Sequence, residues 1–221
     1  MVSSFHRIAK LQTLKLEGCK LIPGGLKAIG TSCVSIKELN LSKCSGVKDM
    51  ELSFAVSRLK NLLKLDITCC RNITNVSLAS ITSSCTSLVS LKMESCSRVS
   101  SESLRLIGKC CPQLEELDLT DTDLDDKGIY WTDSIFWTCY LYILCQMDIK
   151  LTMDIFCAGL KALGACSKLS SLKIGICLKI SDEGLTHIGK SCPELRDIDL
   201  YRLLLLDMPC GLLPLFSLPM Y

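Results

Sequence analysis

Cysteine is the residue type in this sequence with the greatest capacity for chemistry, since 16 of the 221 residues are cysteines, accompanied by two histidines. Cysteines in that number can form a disulfide framework, bind zinc together with histidine, or act as nucleophiles beside a histidine base. Disulfide frameworks belong to short secreted chains, and the first ten residues, MVSSFHRIAK, lack the apolar run of a signal peptide. The cysteines are therefore predicted to be reduced thiols in an intracellular protein, either cytoplasmic or nuclear.

The spacing of these residues favours neither zinc binding nor catalysis. No C-x-x-C pair occurs, and His6 and His187 are the only histidines, whereas structural zinc sites use clustered cysteine and histidine ligands. The motifs of P-loop proteins, dinucleotide-binding enzymes, serine hydrolases and zinc proteases are absent as well. The sequence predicts a protein that is not an enzyme and that has no catalytic residue, no metal site and no cofactor.

Composition narrows the choice of partner. Hydrophobic residues make up 48% of the chain, enough for one substantial core, and the net charge is +2 from 25 basic and 23 acidic residues. No block of one sign is large enough to hold a nucleic-acid backbone or an anionic membrane surface. Another protein is the partner that this balance of charge favours.

A repeated unit accounts for most of the cysteines. Seven copies share alternating leucines that lead to a small residue, and the central copies recur every 26 residues, a pattern typical of leucine-rich repeats. The copies are IAKLQTLKLEGC at 8–19, CVSIKELNLSKC at 33–44, LKNLLKLDITCC at 59–70, CTSLVSLKMESC at 85–96, CPQLEELDLTDT at 111–122, CSKLSSLKIGIC at 166–177 and CPELRDIDLYRL at 192–203.

Alternation within each copy predicts a short strand. Leu39 and Leu41 point to one face of the strand, so Glu38, Asn40 and Ser42 are expected to point outward from the other face. A helical pattern follows each strand, as in GGLKAIGTSC at 24–33 and SDEGLTHIGKSC at 181–192. Because one such unit cannot bury its own apolar side, the copies must stack. The predicted fold is an α/β leucine-rich-repeat solenoid with a curved parallel sheet, outer helices and about seven repeats.

The repeat also explains residues that could otherwise suggest chemistry. His187 falls in mid-helix, and the adjacent carboxylates Asp125 and Asp126 occupy a turn that holds Ser181 and Asp182 in another copy, which favours helix capping. Nine cysteines occupy two recurrent positions, where a small side chain is expected to pack between copies. Those in the turn after the strand are Cys44, Cys70, Cys96 and Cys177, and those at the helix end are Cys33, Cys85, Cys111, Cys166 and Cys192.

Two segments break the pattern. Residues 129–159 contain both tryptophans and no leucine repeat, and their removal restores a copy of nearly normal length. We interpret this insert as a retained intron or an error of gene structure, with a projecting binding loop as the alternative. Its apolar run at 135–145 is too short to span a membrane. The domains expected are therefore a solenoid at 1–128 and 160–202, interrupted by the insert and followed by an atypical apolar tail at 203–221.

The unit C-P-x-L-x-x-L-x-L-x-x-C followed by S-D-x-G-L-x-x-I-G resembles the cysteine-containing repeats of F-box/leucine-rich-repeat proteins. The segment CLKISDEGLTHIGKSCPELRDIDLYR is similar in sequence to the plant members of that family. This resemblance covers residues 8–128 and 160–202. It implies the target-recognition domain of a Skp–cullin–F-box ubiquitin ligase, in which an N-terminal F-box would bind the Skp adaptor.

The chain departs from that family at its start. Repeats begin within the first ten residues, so the expectation is a fragment or truncated isoform without an F-box, which would bind the Skp adaptor only in a longer form. The alternatives are a stand-alone binding module with no ligase link and a truncated product without function.

The outward strand positions are the candidate binding surface, because they carry both signs of charge on one concave face. The residues proposed for partner binding are Lys15, Glu17, Glu38, Asn40, Lys64, Asp66, Lys92, Glu94, Glu116, Asp118, Lys173, Asp199 and Tyr201. The remaining outward positions are Thr13, Ser42, Thr68, Ser90, Thr120, Ser171, Gly175 and Asp197.

Overall fold

Each of the seven repeats contributes one three-residue strand to a single sheet. The computed structural model describes residues 8–123, 159–177, 180 and 182–202, and all seven strands lie within them. The strands are β1 (Thr13–Lys15), β2 (Glu38–Asn40), β3 (Lys64–Asp66), β4 (Ser90–Lys92), β5 (Glu116–Asp118), β6 (Ser171–Lys173) and β7 (Asp197–Asp199).

The strands are parallel and follow one another across the sheet in chain order. Equivalent leucines lie in register, so that Leu14 pairs with Leu39 and Leu39 with Leu65. Hydrogen bonds between neighbours continue past the strand ends, for example from Leu41 N to Asp66 O at 2.8 Å. The chain is an α/β leucine-rich-repeat solenoid of about seven repeats, as the alternation of leucines predicted.

Helices return the chain from each strand to the next. They are α1 (Gly25–Ser32), α2 (Asp49–Arg58), α3 (Asn75–Ser84), α4 (Glu102–Cys110), α5 (Gly159–Ala162), which continues into a 3₁₀ turn at Leu163–Ala165, and α6 (Asp182–Ser191). Consecutive helices pack against each other. Leu26, Leu185 and Ile188 are buried at the helical spacing that the sequence indicated.

The core lies between the sheet and the helices. Leu39 and Leu41 of the second repeat are fully buried, as are their equivalents in the fourth, Leu91 and Met93. Each repeat therefore supplies the same side chains to one continuous core, and the described helices and strands pack against those of the adjacent repeats.

Every strand is followed by a residue in the left-handed backbone conformation. In the first repeat this residue is Gly18, with φ of 72°. In the other six it is not glycine: φ lies between 55° and 61° at Lys43, Cys69, Ser95, Asp121, Ile176 and Arg202. The left-handed residue reverses the chain direction at the edge of the sheet, and the backbone strain is greatest at the β-branched Ile176.

The sheet continues across the break in the sequence. Leu117 of β5 pairs with Leu172 of β6 in the register of all the other strands, although these two residues are 55 positions apart. Residues 124–158 lie outside the described part, and α5 begins at Gly159. The insert predicted at 129–159 and the tail predicted at 203–221 thus fall, apart from Gly159, outside the described residues.

No helix among the described residues has both the length and the apolar character needed to cross a bilayer.

Candidate protein-binding face

Three rows of side chains run across the face of the sheet that points away from the core, the face that the sequence predicts to be concave. In each repeat they come from the first strand residue, the third strand residue and the residue two positions later, because alternate residues of a strand point to the same side. The first row is Thr13, Glu38, Lys64, Ser90, Glu116, Ser171 and Asp197. The second row is Lys15, Asn40, Asp66, Lys92, Asp118, Lys173 and Asp199. The third row is Glu17, Ser42, Thr68, Glu94, Thr120, Gly175 and Tyr201.

The register brings all thirteen predicted binding residues into these rows. Lys15, Lys64 and Tyr201 are exposed, and Asn40 and Asp66 are partly buried. Their role in binding stays a prediction.

Carboxylate and amide groups of the second row also shape the backbone. Asp66 Oδ1 accepts the backbone N–H of Thr68 at 3.0 Å, and Asp199 Oδ1 accepts that of Tyr201 at 2.9 Å. Asn40 and Asp118 make the equivalent bond in their own repeats. These Asx-type bonds fix the direction in which the strand ends and hold the side chains in place before any partner binds.

Ion pairs link neighbouring repeats on this face. Lys15 Nζ lies 3.8 Å from Glu38 Oε1, Lys92 Nζ lies 3.6 Å from Glu116 Oε2, and Lys173 Nζ lies 3.9 Å from Asp118 Oδ2. All of these groups except Asp118 are well exposed to solvent, so the pairs add little to stability. Their main effect is to orient the side chains and to cancel much of the positive charge on the face.

Two carboxylates of the face have lowered pKa values. A hydrogen bond from Ser90 Oγ, at 2.6 Å, is the largest cause at Glu116, where burial acts in the opposite direction and Lys92 lowers the pKa further. A hydrogen bond and the charge of Lys43 lower the pKa of Glu17, whose carboxylate lies 2.8 Å from the ammonium group. Both carboxylates therefore carry negative charge at neutral pH.

Two residues of the rows, Ser42 and Ser90, are each only 5% exposed, although they lie on the face that the alternation predicted. Ser42 turns its hydroxyl onto Asn40 Oδ1 at 2.7 Å. Ser90 lies in register between the longer side chains of Lys64 and Glu116 and donates its hydroxyl to Glu116. Alternation predicts the face on which a residue lies, but a short side chain between long neighbours is covered by them.

The face contains a depression of about 280 Å³ over the first five repeats. Its lining is polar and mixed in charge, with Lys15, Glu38, Lys64, Asp66, Lys92 and Glu116 among its residues. At the other end of the face, Tyr201 is 58% exposed and is the largest apolar side chain that the three rows offer to solvent.

The cysteines make contacts that the sequence did not reveal. The thiols of Cys70, Cys96 and Cys177 donate to the carbonyl oxygens of Leu41, Ile67 and Leu119 in the preceding repeat, at 3.2 to 3.3 Å. Cys44 makes the same bond to Leu16 at 2.8 Å. The nine cysteines predicted to pack between copies are all buried, as expected.

Burial also decides the reactivity of these thiols. It raises the pKa of Cys70, Cys96 and Cys111 to about 12, and that of Cys85 and Cys166 to about 11. A thiol that stays protonated at neutral pH is a poor nucleophile and a poor metal ligand. These cysteines therefore serve packing and hydrogen bonding between repeats.

The other residues considered for chemistry are separate from one another. Among the residues described by the structure, no group of three or more His, Cys, Asp or Glu side chains could hold a metal ion. His187 is partly buried in α6. His6, Asp125, Asp126 and Ser181 lie outside the described residues, as does the side chain of Asp182.

Comparison with known proteins agrees with the repeat fold. A family profile described as "Leucine Rich repeat" matches residues 110–130, which include β5. The chain is similar to yeast Rad7 in its crystal structure with Elc1, with a TM-score of 0.63 and 17% identity over 90% of this chain and 46% of that one. It is also similar to internalin C2 of Listeria monocytogenes, with a TM-score of 0.62 and 18% identity over 97% and 71% of the two chains.

These likenesses show the fold. The chain spans less than half the length of the Rad7 chain that it matches, so what that protein does as a whole does not carry over with the fold.

Proposed function

We propose that this chain is a protein-interaction scaffold whose concave face binds a target protein. In the cell it would resemble the target-recognition domain of a Skp–cullin–F-box ubiquitin ligase, acting in the cytosol or the nucleus. A longer form would carry the F-box that binds the Skp adaptor. Neither nucleic acid nor a membrane is its partner, and it has no catalytic role of its own.

One observation carries the proposal: the register of the sheet aligns polar and charged side chains from seven consecutive repeats on one surface. Asx-type bonds at Asn40, Asp66, Asp118 and Asp199 hold part of this surface in place in advance. A preorganised surface loses less conformational entropy when it binds, which is what a recognition domain requires.

The comparisons support the proposal at the level of fold. Rad7, which shares the solenoid, was crystallised in a complex with another protein, Elc1. The resemblance of the repeats to F-box/leucine-rich-repeat proteins supports the link to a ligase, and the absence of catalytic motifs is consistent with a binding role.

A pair of matched variants tests whether the concave face binds. Lys64→Glu with Glu94→Lys reverses two exposed charges on the face, and Lys37→Glu with Glu115→Lys reverses two exposed charges that alternate away from it. The full chain and both double variants are used to capture partners from extracts of the source organism, with quantitative mass spectrometry.

We expect a protein that is captured by the wild type and the off-face variant and that is lost from the concave-face variant. A partner retained equally by both variants would show that binding uses another surface. Sequencing the 5′ end of the transcript tests the ligase link: a message that encodes an F-box before Met1, together with ubiquitylation of the captured protein, supports it. Capture without any ligase component favours a stand-alone module.

A further inference from the structure

The concave face is more acidic than the molecule as a whole. Its three rows hold eight carboxylates and four lysines, a formal charge of −4, on a chain whose total is +2, so the remainder carries +6. The carboxylates are Glu17, Glu38, Asp66, Glu94, Glu116, Asp118, Asp197 and Asp199, and the lysines are Lys15, Lys64, Lys92 and Lys173.

Most of the lysines are already neutralised. Lys15, Lys92 and Lys173 each lie 3.6 to 3.9 Å from a carboxylate of the neighbouring repeat. A fourth carboxylate, on Glu17, pairs with Lys43 in the turn. Four carboxylates remain without a salt bridge to any described residue: Asp66, Glu94, Asp197 and Asp199. The charge that the three rows present to an approaching molecule is therefore predominantly negative, with Lys64 and, beside Tyr201, Arg202 as the positive groups.

The last repeat adds an aromatic ring to this acidic surface. Asp197, Asp199 and Tyr201 are alternate residues of β7 and its extension, so they point to the same side. The guanidinium group of Arg202 lies 5.2 Å from the centre of the Tyr201 ring, so the ring takes part in a cation–π contact within the chain. Gly175, the neighbour of Tyr201 in the third row, has no side chain to cover the ring from that direction.

Both carboxylates of β7 keep the capacity to accept more hydrogen bonds. Asp197 Oδ2 accepts the hydroxyl of Ser171 at 2.9 Å, and Asp199 Oδ1 accepts the N–H of Tyr201. An ionised carboxylate offers about four acceptor positions, so most of them remain for an incoming donor. Arginine and lysine are the side chains whose donors suit such a site, and arginine also stacks on tyrosine.

We propose that the segment of the partner that lies on the concave face is basic, with arginine or lysine contacting Asp197, Asp199 and Tyr201 and continuing toward Glu94 and Asp66. The four inter-strand steps from β3 to β7 span about 19 Å, which an extended segment of about six residues covers. This inference rests on the proposed function and adds the chemistry of the partner to it.

The test uses the full chain and two fluorescently labelled peptides of equal length, one alternating arginine with glycine and the other alternating glutamate with glycine. Binding is measured by fluorescence anisotropy at low and physiological salt. The variant Asp197→Asn with Asp199→Asn removes two charges but retains the oxygens that accept from Ser171 and Tyr201. The control, Glu102→Gln with Glu115→Gln, removes two charges from exposed positions outside the three rows.

We expect the arginine peptide to bind the wild type and the glutamate peptide not to bind. The Asp197/Asp199 double variant should raise the Kd about tenfold, and the control variant by less than about twofold. Tyr201→Ala should weaken binding while Tyr201→Phe retains it, because the ring face is preserved. Added salt should weaken binding of the arginine peptide.

Equal losses in the two double variants would overturn the inference, since they would mean attraction by overall charge alone. Binding of both peptides, or only of the glutamate peptide, would overturn it too. The two hypotheses can fail separately. If the double variant Lys64→Glu with Glu94→Lys loses the cellular partner and the double variant Asp197→Asn with Asp199→Asn keeps it, the concave face binds a protein. The inference that the partner's segment is basic would then be wrong.

Discussion

Asp49 shows how a single side chain joins two repeats. It lies at the first residue of α2, where its Oδ1 accepts the backbone N–H of Thr74 at 2.9 Å and the hydroxyl of Ser77 at 2.6 Å. Its other oxygen accepts the hydroxyl of Thr74 at 2.7 Å. One repeat later, Asn75 accepts from Ser100 and Ser103 in the same way. A carboxylate and an amide thus occupy equivalent positions and serve the same function.

That equivalence predicts the effect of substitution at Asp49. Asp49→Ala should lower the free energy of unfolding by about 2 kcal/mol at neutral pH, because buried donors lose their acceptor. Asp49→Asn should cost less than half as much, because Asn75 shows that an amide fits. Urea unfolding measures both values. An asparagine variant as unstable as the alanine variant would mean that the charge of Asp49, rather than its acceptor oxygen, stabilises the contact between the two repeats.

The pH dependence provides a further measurement on the same variants. Burial alone would raise the pKa of Asp49, but hydrogen bonds from Ser77 and Thr74 outweigh it and lower the pKa below its usual value. The charged form therefore stabilises the fold above the unfolded-state pKa, and this contribution is lost as the pH falls through the lower folded-state pKa. Stability should decline less steeply toward acid pH in Asp49→Asn than in the wild type.

Ile176 carries the most strained of the turn conformations, since a β-branched residue has a φ of 61° there. Asparagine tolerates the left-handed region, so Ile176→Asn should raise the free energy of unfolding by about 1 kcal/mol. Ile176→Val keeps the β-branch and should leave stability almost unchanged. The urea midpoint, at a constant m-value, decides between them. A less stable asparagine variant would show that the packing of the half-buried isoleucine outweighs the strain of its backbone.

At the scale of the elements, helices α1 and α2 approach each other at a glycine. A Cβ added to Gly30 would lie 2.8 Å from the Cα of Ala55, a distance that requires the backbone to shift. Gly30→Ala should therefore lower the free energy of unfolding by about 1 to 3 kcal/mol. Gly25, in the same helix, has room for a Cβ, with Leu21 Cδ2 at 3.8 Å as its nearest neighbour.

Gly25→Ala is accordingly the matched control. It should be neutral or stabilising by up to about 1 kcal/mol, because alanine has the higher helix propensity. Thermal and urea unfolding of the two variants, compared with the wild type, isolate the effect of the helix contact. Equal stability of the two alanine variants would mean that α1 can move away from α2 without loss.

The elements themselves were predictable from the sequence because each strand repeats the same alternation of leucines. Leu39, Leu65 and Leu91 recur every 26 residues, and their register in the sheet follows from that interval. The rows of the candidate face were predictable for the same reason. Alternation assigns a side chain to a face and does not give its depth, so the burial of Ser42 and Ser90 on that face could not be predicted.

Contacts between repeats were harder to predict. The hydrogen bond from the Cys96 thiol to the carbonyl oxygen of Ile67 depends on the distance between adjacent repeats. The sequence pattern of one strand does not give that distance. The left-handed turn at Ile176 has no signal in its residue type, because a β-branched residue rarely adopts a positive φ. The sequence did contain a signal for the contact that Asp49 makes with the next repeat. Polar residues recur at the 26-residue interval, at Asp49 and Asn75 and at Ser77 and Ser103.

At the scale of the whole molecule, the solenoid depends on contact between neighbouring repeats, so any break in the stack is a test of its cooperativity. The sheet passes from β5 to β6 without a change of register, although Leu117 and Leu172 are 55 residues apart where other register partners are separated by 25 or 26. From this register we predict that the sequence between the two strands can be removed without altering the stack.

Deletion of residues 129–159 tests this directly. It joins Gly128 to Leu160 and shortens the interval between Leu117 and Leu172 from 55 to 24 residues, so Gly128 takes the place of Gly159 at the start of α5. A shorter connection costs less entropy to close, which should raise the free energy of unfolding by up to about 0.7 kcal/mol. Circular dichroism and urea unfolding should show the same secondary structure per repeat and a single transition.

The matched control deletes one complete repeat, residues 85–110, which contains β4 and α4. This variant should be less stable by several kcal/mol and have a smaller m-value, because it loses a whole layer of core and two interfaces are replaced by one. If the deletion of 129–159 instead loses its cooperative transition, those residues contribute to the folded stack and are not an interruption of it. If stability is kept but capture of the partner is lost, they form part of the binding surface, as a projecting loop would.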